Sequence, residues 1–232
     1  MNAFIRQLTG SILLVVLAAG QSPNSHRFSL LEPGIFHGED VRLAQPAAWV
    51  GIYCEENACN ARPTTVRSTR APDPLGEDAP DAPTATSIEV SGPSQPLFLV
   101  RGITASPRLV PTFFVGKQSM IAGDHFDVAR LKSEYALHVE GTQTKDDILP
   151  AGSRLVLSHG SVKQDLFLVP KAANDAYIIV LWVGDLDGDG KPDFYVDSTW
   201  HYNISNKVLW LSSLAKPGQI VGKAAVFKTI GC

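Results

Sequence analysis

The chain is short of cysteine. Its 232 residues hold three: Cys54, Cys59 and Cys232. No second cysteine pair and no histidine cluster stands at metal-ligand spacing, which argues against zinc. A charge excess of either sign is also lacking. Twenty Lys and Arg face 23 Asp and Glu, for a net charge of −3. Neither nucleic acid nor an anionic membrane surface is implied as a partner. Long apolar runs are missing after the first twenty residues. The run from Ala176 to Val183 is eight residues, well under the ~20 that a spanning helix needs. The mature chain is therefore expected to have no membrane span. Catalytic signatures are absent as well. There is no Gly-x-Ser-x-Gly elbow, no His-Glu-x-x-His pair and no glycine-rich phosphate loop. The six histidines are scattered. His125, between Asp124 and Asp127, has the neighbours a general base would need, but a surface turn is the plainer reading. The expectation is a protein that is not an enzyme, with an exported hydrolase of dispersed catalytic residues as an alternative.

What is present begins with a leader. In residues 1–20 Arg6 is the only charge, the stretch Ile12 to Ala19 is apolar, and Ala18-Ala19-Gly20 follows. This order of basic, apolar and small residues predicts a secretory signal peptide, cleaved after Gly20 or one residue earlier. Lipidation would need a cysteine where Gln21 stands. The expected location is secreted or periplasmic, where disulfides persist. A Cys54–Cys59 bridge across Glu55-Glu56-Asn57-Ala58 is the favoured pairing. Cys232 joined to either of them is the alternative.

Residues 21–70 read as an N-terminal segment carrying the Cys54/Cys59 hairpin. Ala48 to Tyr53 is the first clear strand, and Arg62 to Thr69 is expected to pair back with it. Residues 71–87 hold Pro72, Pro74, Pro80 and Pro83 among acidic residues. They read as an exposed loop or linker. Residues 88–232 read as a β domain. Strand patterns recur over 87–90, 97–101, 110–115, 135–140, 154–157, 165–169, 176–183, 194–196, 208–211 and 224–229. One short helix is expected at Asp127 to Ser133. With no alternating long helices, the fold class is mainly β, an antiparallel sandwich or partly open barrel.

One stretch carries specific chemistry: Asp185-Leu186-Asp187-Gly188-Asp189-Gly190-Lys191-Pro192-Asp193. Carboxylates at alternate positions can converge on a point. Gly190 permits the sharp turn, and the Lys191 carbonyl is placed for a further oxygen. Carboxylates ~5 Å apart repel by roughly 1–3 kcal/mol per pair, so a cation is expected among them. Calcium, which takes six to eight oxygens, suits this loop better than magnesium, which prefers a rigid octahedron. A helix–loop–helix hand would need Glu at position 12, where Val196 stands. The flanks, rich in β-branched and aromatic residues, read instead as two strands joined by the calcium loop.

Residues 184–196, GDLDGDGKPDFYV, resemble the integrin-type FG-GAP (VCBS-like) calcium repeat, whose loop joins two antiparallel strands. The resemblance covers about residues 176–200. It implies Asp185, Asp187, Asp189, the Lys191 carbonyl and Asp193 as ligands to one Ca2+. That family usually carries the loop in tandem, and no second copy occurs here. Just beyond, Trp200 and Tyr202 lie among polar residues, Ser198-Thr199-Trp200-His201-Tyr202-Asn203. They are candidate contacts for a glycan or protein, in a loop that the nearby ion would shape.

Overall fold

The computed structural model describes residues 27–231, except 39, 42, 44–47, 57, 77–81 and 129–134. The leader, Cys232 and most of the expected helix at Asp127 to Ser133 lie outside the described residues. Asp127 itself ends a strand.

The protein is mainly β, and every pair of named strands is antiparallel. Among the described residues the strands form four sheets. The first orders β1 (Ser29–Leu31), β7 (Phe98–Arg101), β3 (Trp49–Glu55), β4 (Ala58–Thr64) and β8 (Arg108–Val110). The second orders β2 (Gly34–Phe36), β6 (Ala85–Val90) and β5 (Val66–Ala71). The third orders β17 (Gly222–Ile230), β16 (Ile204–Leu211), β15 (Asp193–Thr199), β14 (Tyr177–Gly184) and β9 (Thr112–Met120). The fourth orders β10 (His125–Asp127), β11 (Tyr135–Glu140), β12 (Arg154–His159) and β13 (Val162–Leu168). Among the described residues no sheet closes into a barrel, which is consistent with the expected antiparallel β sandwich.

The third sheet is the centre of the sandwich, because alternate residues of β14, β15 and β16 feed two cores. Trp182, Tyr195, Leu209 and Leu211 pack with Ile52, Phe98 and Leu99 of the first sheet. Val183, Phe194, Val196 and Val208 pack with Leu137, Leu155 and Leu157 of the fourth. Successive side chains of a strand point to opposite faces. A strand covered on both sides must therefore be apolar at nearly every position. This is why 177–183 and 194–196 lack the polar alternation of an exposed sheet. All seven residues of β15 are buried.

Two expectations about the first half are corrected. The partner of β3 is Ala58–Thr64, in register from Trp49↔Thr64 to Glu55↔Ala58. Residues 66–71 leave that sheet and pair with β6 instead. The boundary at 71–87 does not separate two units either. Both β1 and β3 pair with β7, so chain from either side of it shares one sheet. The proline-rich stretch is the connection of the β5–β6 hairpin, closed by the Ala71↔Ala85 pair. The disulfide joins Cys54 to Cys59, which face each other across the β3–β4 hairpin.

Asp73 shows why this connection is held against the body. Although it falls in the stretch read as exposed, it is buried. His37 Nδ1 lies 2.9 Å from one carboxylate oxygen. The carboxylate also accepts from Leu75 N–H at 3.0 Å, Gly38 N–H at 3.1 Å and the Thr84 hydroxyl at 3.1 Å. The His37 contact first, and then these donors, hold the Asp73 carboxyl well below its ordinary value of 3.8. A depressed folded value contributes stability above the unfolded value and loses it as pH falls through the folded one. Asp73→Asn is therefore expected to lower the melting temperature at neutral pH. The gap to wild type should shrink only as pH falls below 3.8. Thermal melts over an acid series check this. A gap independent of pH would contradict it.

Candidate metal centre

The aspartate loop leaves β14 at Gly184 and enters β15 at Asp193, and these two residues pair across the strands. Its start is anchored from outside the hairpin. Asp185 N–H donates to the Pro111 carbonyl at 2.8 Å, and Arg108 donates to the Leu186 carbonyl at 2.7 Å. Gly184 is required by close packing. A Cβ there would lie 2.3 Å from the Trp182 ring and 2.6 Å from the Pro111 carbonyl oxygen. Gly188 and Gly190 have φ of 82° and 81°, a region that residues with a Cβ rarely enter. The turn thus needs both glycines, one more than the sequence reasoning used.

Around this turn Asp185, Asp187 and Asp193 bring one oxygen each within 4.8 Å of one another. Asp185 and Asp193 are buried, and Asp187 is partly exposed. Asp193 accepts from Leu186 N–H and Ser212 N–H, each at 2.7 Å. Asp185 accepts from Gly188 N–H at 2.7 Å, Asp189 N–H at 3.1 Å and Gly190 N–H at 2.9 Å. Among the described residues no Lys, Arg or His forms an ion pair with any of the three. Buried carboxylates without a counter-charge are costly. Burial first, then the Asp187 charge, push the Asp193 carboxyl up to about 7. Burial also raises Asp187, with the charge of Asp189 adding to it.

Asp189 and Lys191 differ from the other expected ligands. Asp189 stands outside the triplet, and its carboxylate accepts from Lys191 N–H at 2.9 Å. Both residues are exposed. Asp197, one place beyond position 12, takes no part. Its carboxylate accepts from the Thr199 hydroxyl at 2.7 Å, and it pairs across the sheet with Lys207.

Two residues of the centre were missed by sequence reasoning. Ser212 and Ser213 follow β16 in a short 3-10 turn, Ser212–Leu214. The Ser212 hydroxyl has both oxygens of Asp189 at 2.9 Å and one oxygen of Asp193 at 3.0 Å. The Ser213 hydroxyl donates to Asp187. A hydroxyl has one proton to give. One proton cannot serve all three oxygens, so part of the oxygen surface around Ser212 faces other lone pairs. A cation would relieve that. No local pattern marks a serine pair some twenty residues downstream; only the β15–β16 register brings it here.

The donor set fits a hard cation. It consists of carboxylate and hydroxyl oxygens, with no thiolate and no imidazole, on a turn built from glycines. Asp185, Asp187 and Asp193 would hold the ion.

The other candidate contacts do not join this site. Trp200 and Tyr202 lie past the far end of β15, beyond the Tyr177↔Thr199 pair. Seven residues of strand at ~3.3 Å each put them about 20 Å from the loop. An ion at the aspartates therefore does not shape that turn, which corrects the expectation. Trp200 lies under the Lys228 ammonium, 5.0 Å from the ring centre, and Tyr202 is exposed against His201. His125 is a strand residue rather than a turn residue. It is exposed, sits 2.7 Å from Asp127 and faces His138 across β10 and β11.

Comparison with known proteins adds no relative: no family model, no curated protein and no solved structure matches this chain.

Proposed function

We propose that this is an exported, non-enzymatic β protein whose Asp185–Asp193 loop binds one structural calcium ion. The observation that carries the reading is the convergence of Asp185, Asp187 and Asp193 within 4.8 Å, two of them buried, with no basic partner among the described residues. The ion would neutralise the cluster and tie three pieces of chain together: the β14–β15 hairpin, the 3-10 turn after β16 and, through Arg108 and Pro111, β8 and its junction with β9. The all-oxygen donor set favours calcium over softer metals, and the likeness of 184–196 to the FG-GAP repeat supports the same ion. The leader and the disulfide agree with an oxidising compartment.

Calorimetric titration of the mature chain tests this. Wild type is expected to bind one Ca2+ per chain, and Asp187→Ala to lose at least about tenfold in affinity, since a charged ligand oxygen is removed. Absence of calcium binding by wild type would refute the proposal.

A further inference from the structure

The metal centre opens on one side to a cavity of about 500 Å³, within the range of small-molecule sites. Its wall includes Asp187 and Ser213 from the centre, Thr104 and Ser106 from the β7–β8 connection, and two arginines, Arg27 and Arg108. Arg108 is fixed in place. It donates to the carbonyls of Thr104 at 2.9 Å, Ser106 at 3.4 Å and Leu186 at 2.7 Å. Those acceptors are neutral, and some of its five N–H donors remain. Arg27 is exposed, with its guanidinium 5.2 Å from the Phe28 ring centre. Among the described residues neither arginine has a carboxylate partner.

We infer that this cavity binds a small hydroxy-carboxylate, of the uronic acid class, in a calcium-dependent way. The inference rests on the proposed calcium site. Guanidinium groups pair with carboxylates through parallel N–H donors. An organic carboxylate seated between Arg27 and Arg108 lies beside Asp187, the most exposed member of the aspartate triplet. Its oxygens are the hard donors that calcium accepts. Thr104 and Ser106 line the same wall, and polar residues of this kind suit a polyhydroxylated body.

Charge makes the binding conditional. Of the charged groups lining the cavity, Asp187 opposes an anion while Arg27 and Arg108 attract it. A divalent cation on the aspartates would cancel that opposition and add to the pull of the two arginines. The carboxylate requirement also separates this cavity from the aromatic turn at Trp200 and Tyr202, where an uncharged sugar would stack.

Calorimetry on the full mature chain decides the matter in two stages. Calcium is titrated first, and no binding there overturns the metal reading itself. Galacturonate, galactose and trigalacturonate are then titrated in excess calcium. Galacturonate is expected to bind and galactose not. EGTA and Arg27→Gln should each weaken galacturonate by about tenfold or more, the worth of a charge-assisted contact. Tighter binding of trigalacturonate would identify a polymer as the source of the acid, and equal binding a free acid; both support the inference. Arg27 is exposed, so its replacement leaves the fold intact; Arg108→Gln, accepted only if its melt matches wild type, is the second variant. Calcium binding without any galacturonate response overturns the inference and leaves the metal reading standing. Equal galacturonate affinity in Arg27→Gln and wild type does the same.

Discussion

Chelation with EGTA is expected to lower the melting temperature of the mature protein by roughly 5–10 °C. For a dissociation constant of ~10 µM, ~1 mM calcium stabilises the native state by about 2.7 kcal/mol through mass action. For a chain of this size each kcal/mol moves the midpoint by about 2–4 °C. The loop explains why the effect should be this large. Asp193 and Ser212 connect β15 to the turn after β16, and Pro111 connects Asp185 to the neighbouring edge of the sheet. Losing the ion leaves buried like charges facing one another at a junction of three chain segments. The same account makes Asp187→Asn change sign with conditions. With calcium present the variant loses a ligand charge and melts below wild type. In EGTA it relieves repulsion and melts at or above wild type. Scanning calorimetry with and without calcium reads both. A wild-type melt indifferent to EGTA would refute the structural role of the ion.

Trp182→Ala is expected to destabilise the fold by about 3–5 kcal/mol, or roughly 10 °C in melting temperature. Trp182 is fully buried. It meets Phe98 edge-on with ring centres 5.8 Å apart, and Phe98 in turn lies 4.6 Å from the Tyr195 ring. This aromatic trio joins the central sheet to the first. Its position also touches the metal centre, because the Trp182 ring fills the space where a Gly184 side chain would go. One group works against the residue. The indole Nε1–H is buried without a hydrogen-bond partner among the described residues, a cost of about 1–3 kcal/mol. Trp182→Phe removes that orphan donor and keeps most of the ring, so its expected loss is much smaller than that of alanine. Chemical denaturation of both variants separates packing from polarity. Similar losses for Phe and Ala would show that the indole shape, rather than buried aromatic area, holds the junction. Calcium affinity should fall in Trp182→Ala, because Gly184 and Asp185 lose their support.

Much of the β architecture was legible from local pattern. β14 was readable as a strand because Ile178, Ile179, Val180 and Val183 are β-branched and the run is too short for a typical helix. The Cys54–Cys59 pairing was readable because a four-residue polar turn suits a hairpin. The first-half topology was not. Nothing local tells Val66–Ala71 to leave the first sheet and pair with β6, because β5 is mostly exposed and its own residues carry little burial signal. Asp73 was misjudged because proline and acidic composition describe an average solvent preference. Its burial depends on His37, 36 residues away.

The division is the same at the aspartate loop. The oxygen-rich turn, its glycines and its place between two strands were legible locally, because those properties arise within nine residues of continuous chain. Contacts between distant segments set the rest: Asp185, Asp187 and Asp193 converge while Asp189 stands outside the triplet, and Ser212 and Ser213 hydrogen-bond to its carboxylates. Tertiary structure also decided that Arg27 and Arg108 open a cavity beside it, and that Trp200 and Tyr202 belong to the opposite end of the sheet. Contacts such as Ser212 to Asp193, 19 residues apart, and Arg108 to Leu186, 78 apart, are set by strand register and sheet packing. Those are properties of the whole core, and no short stretch of residues encodes them.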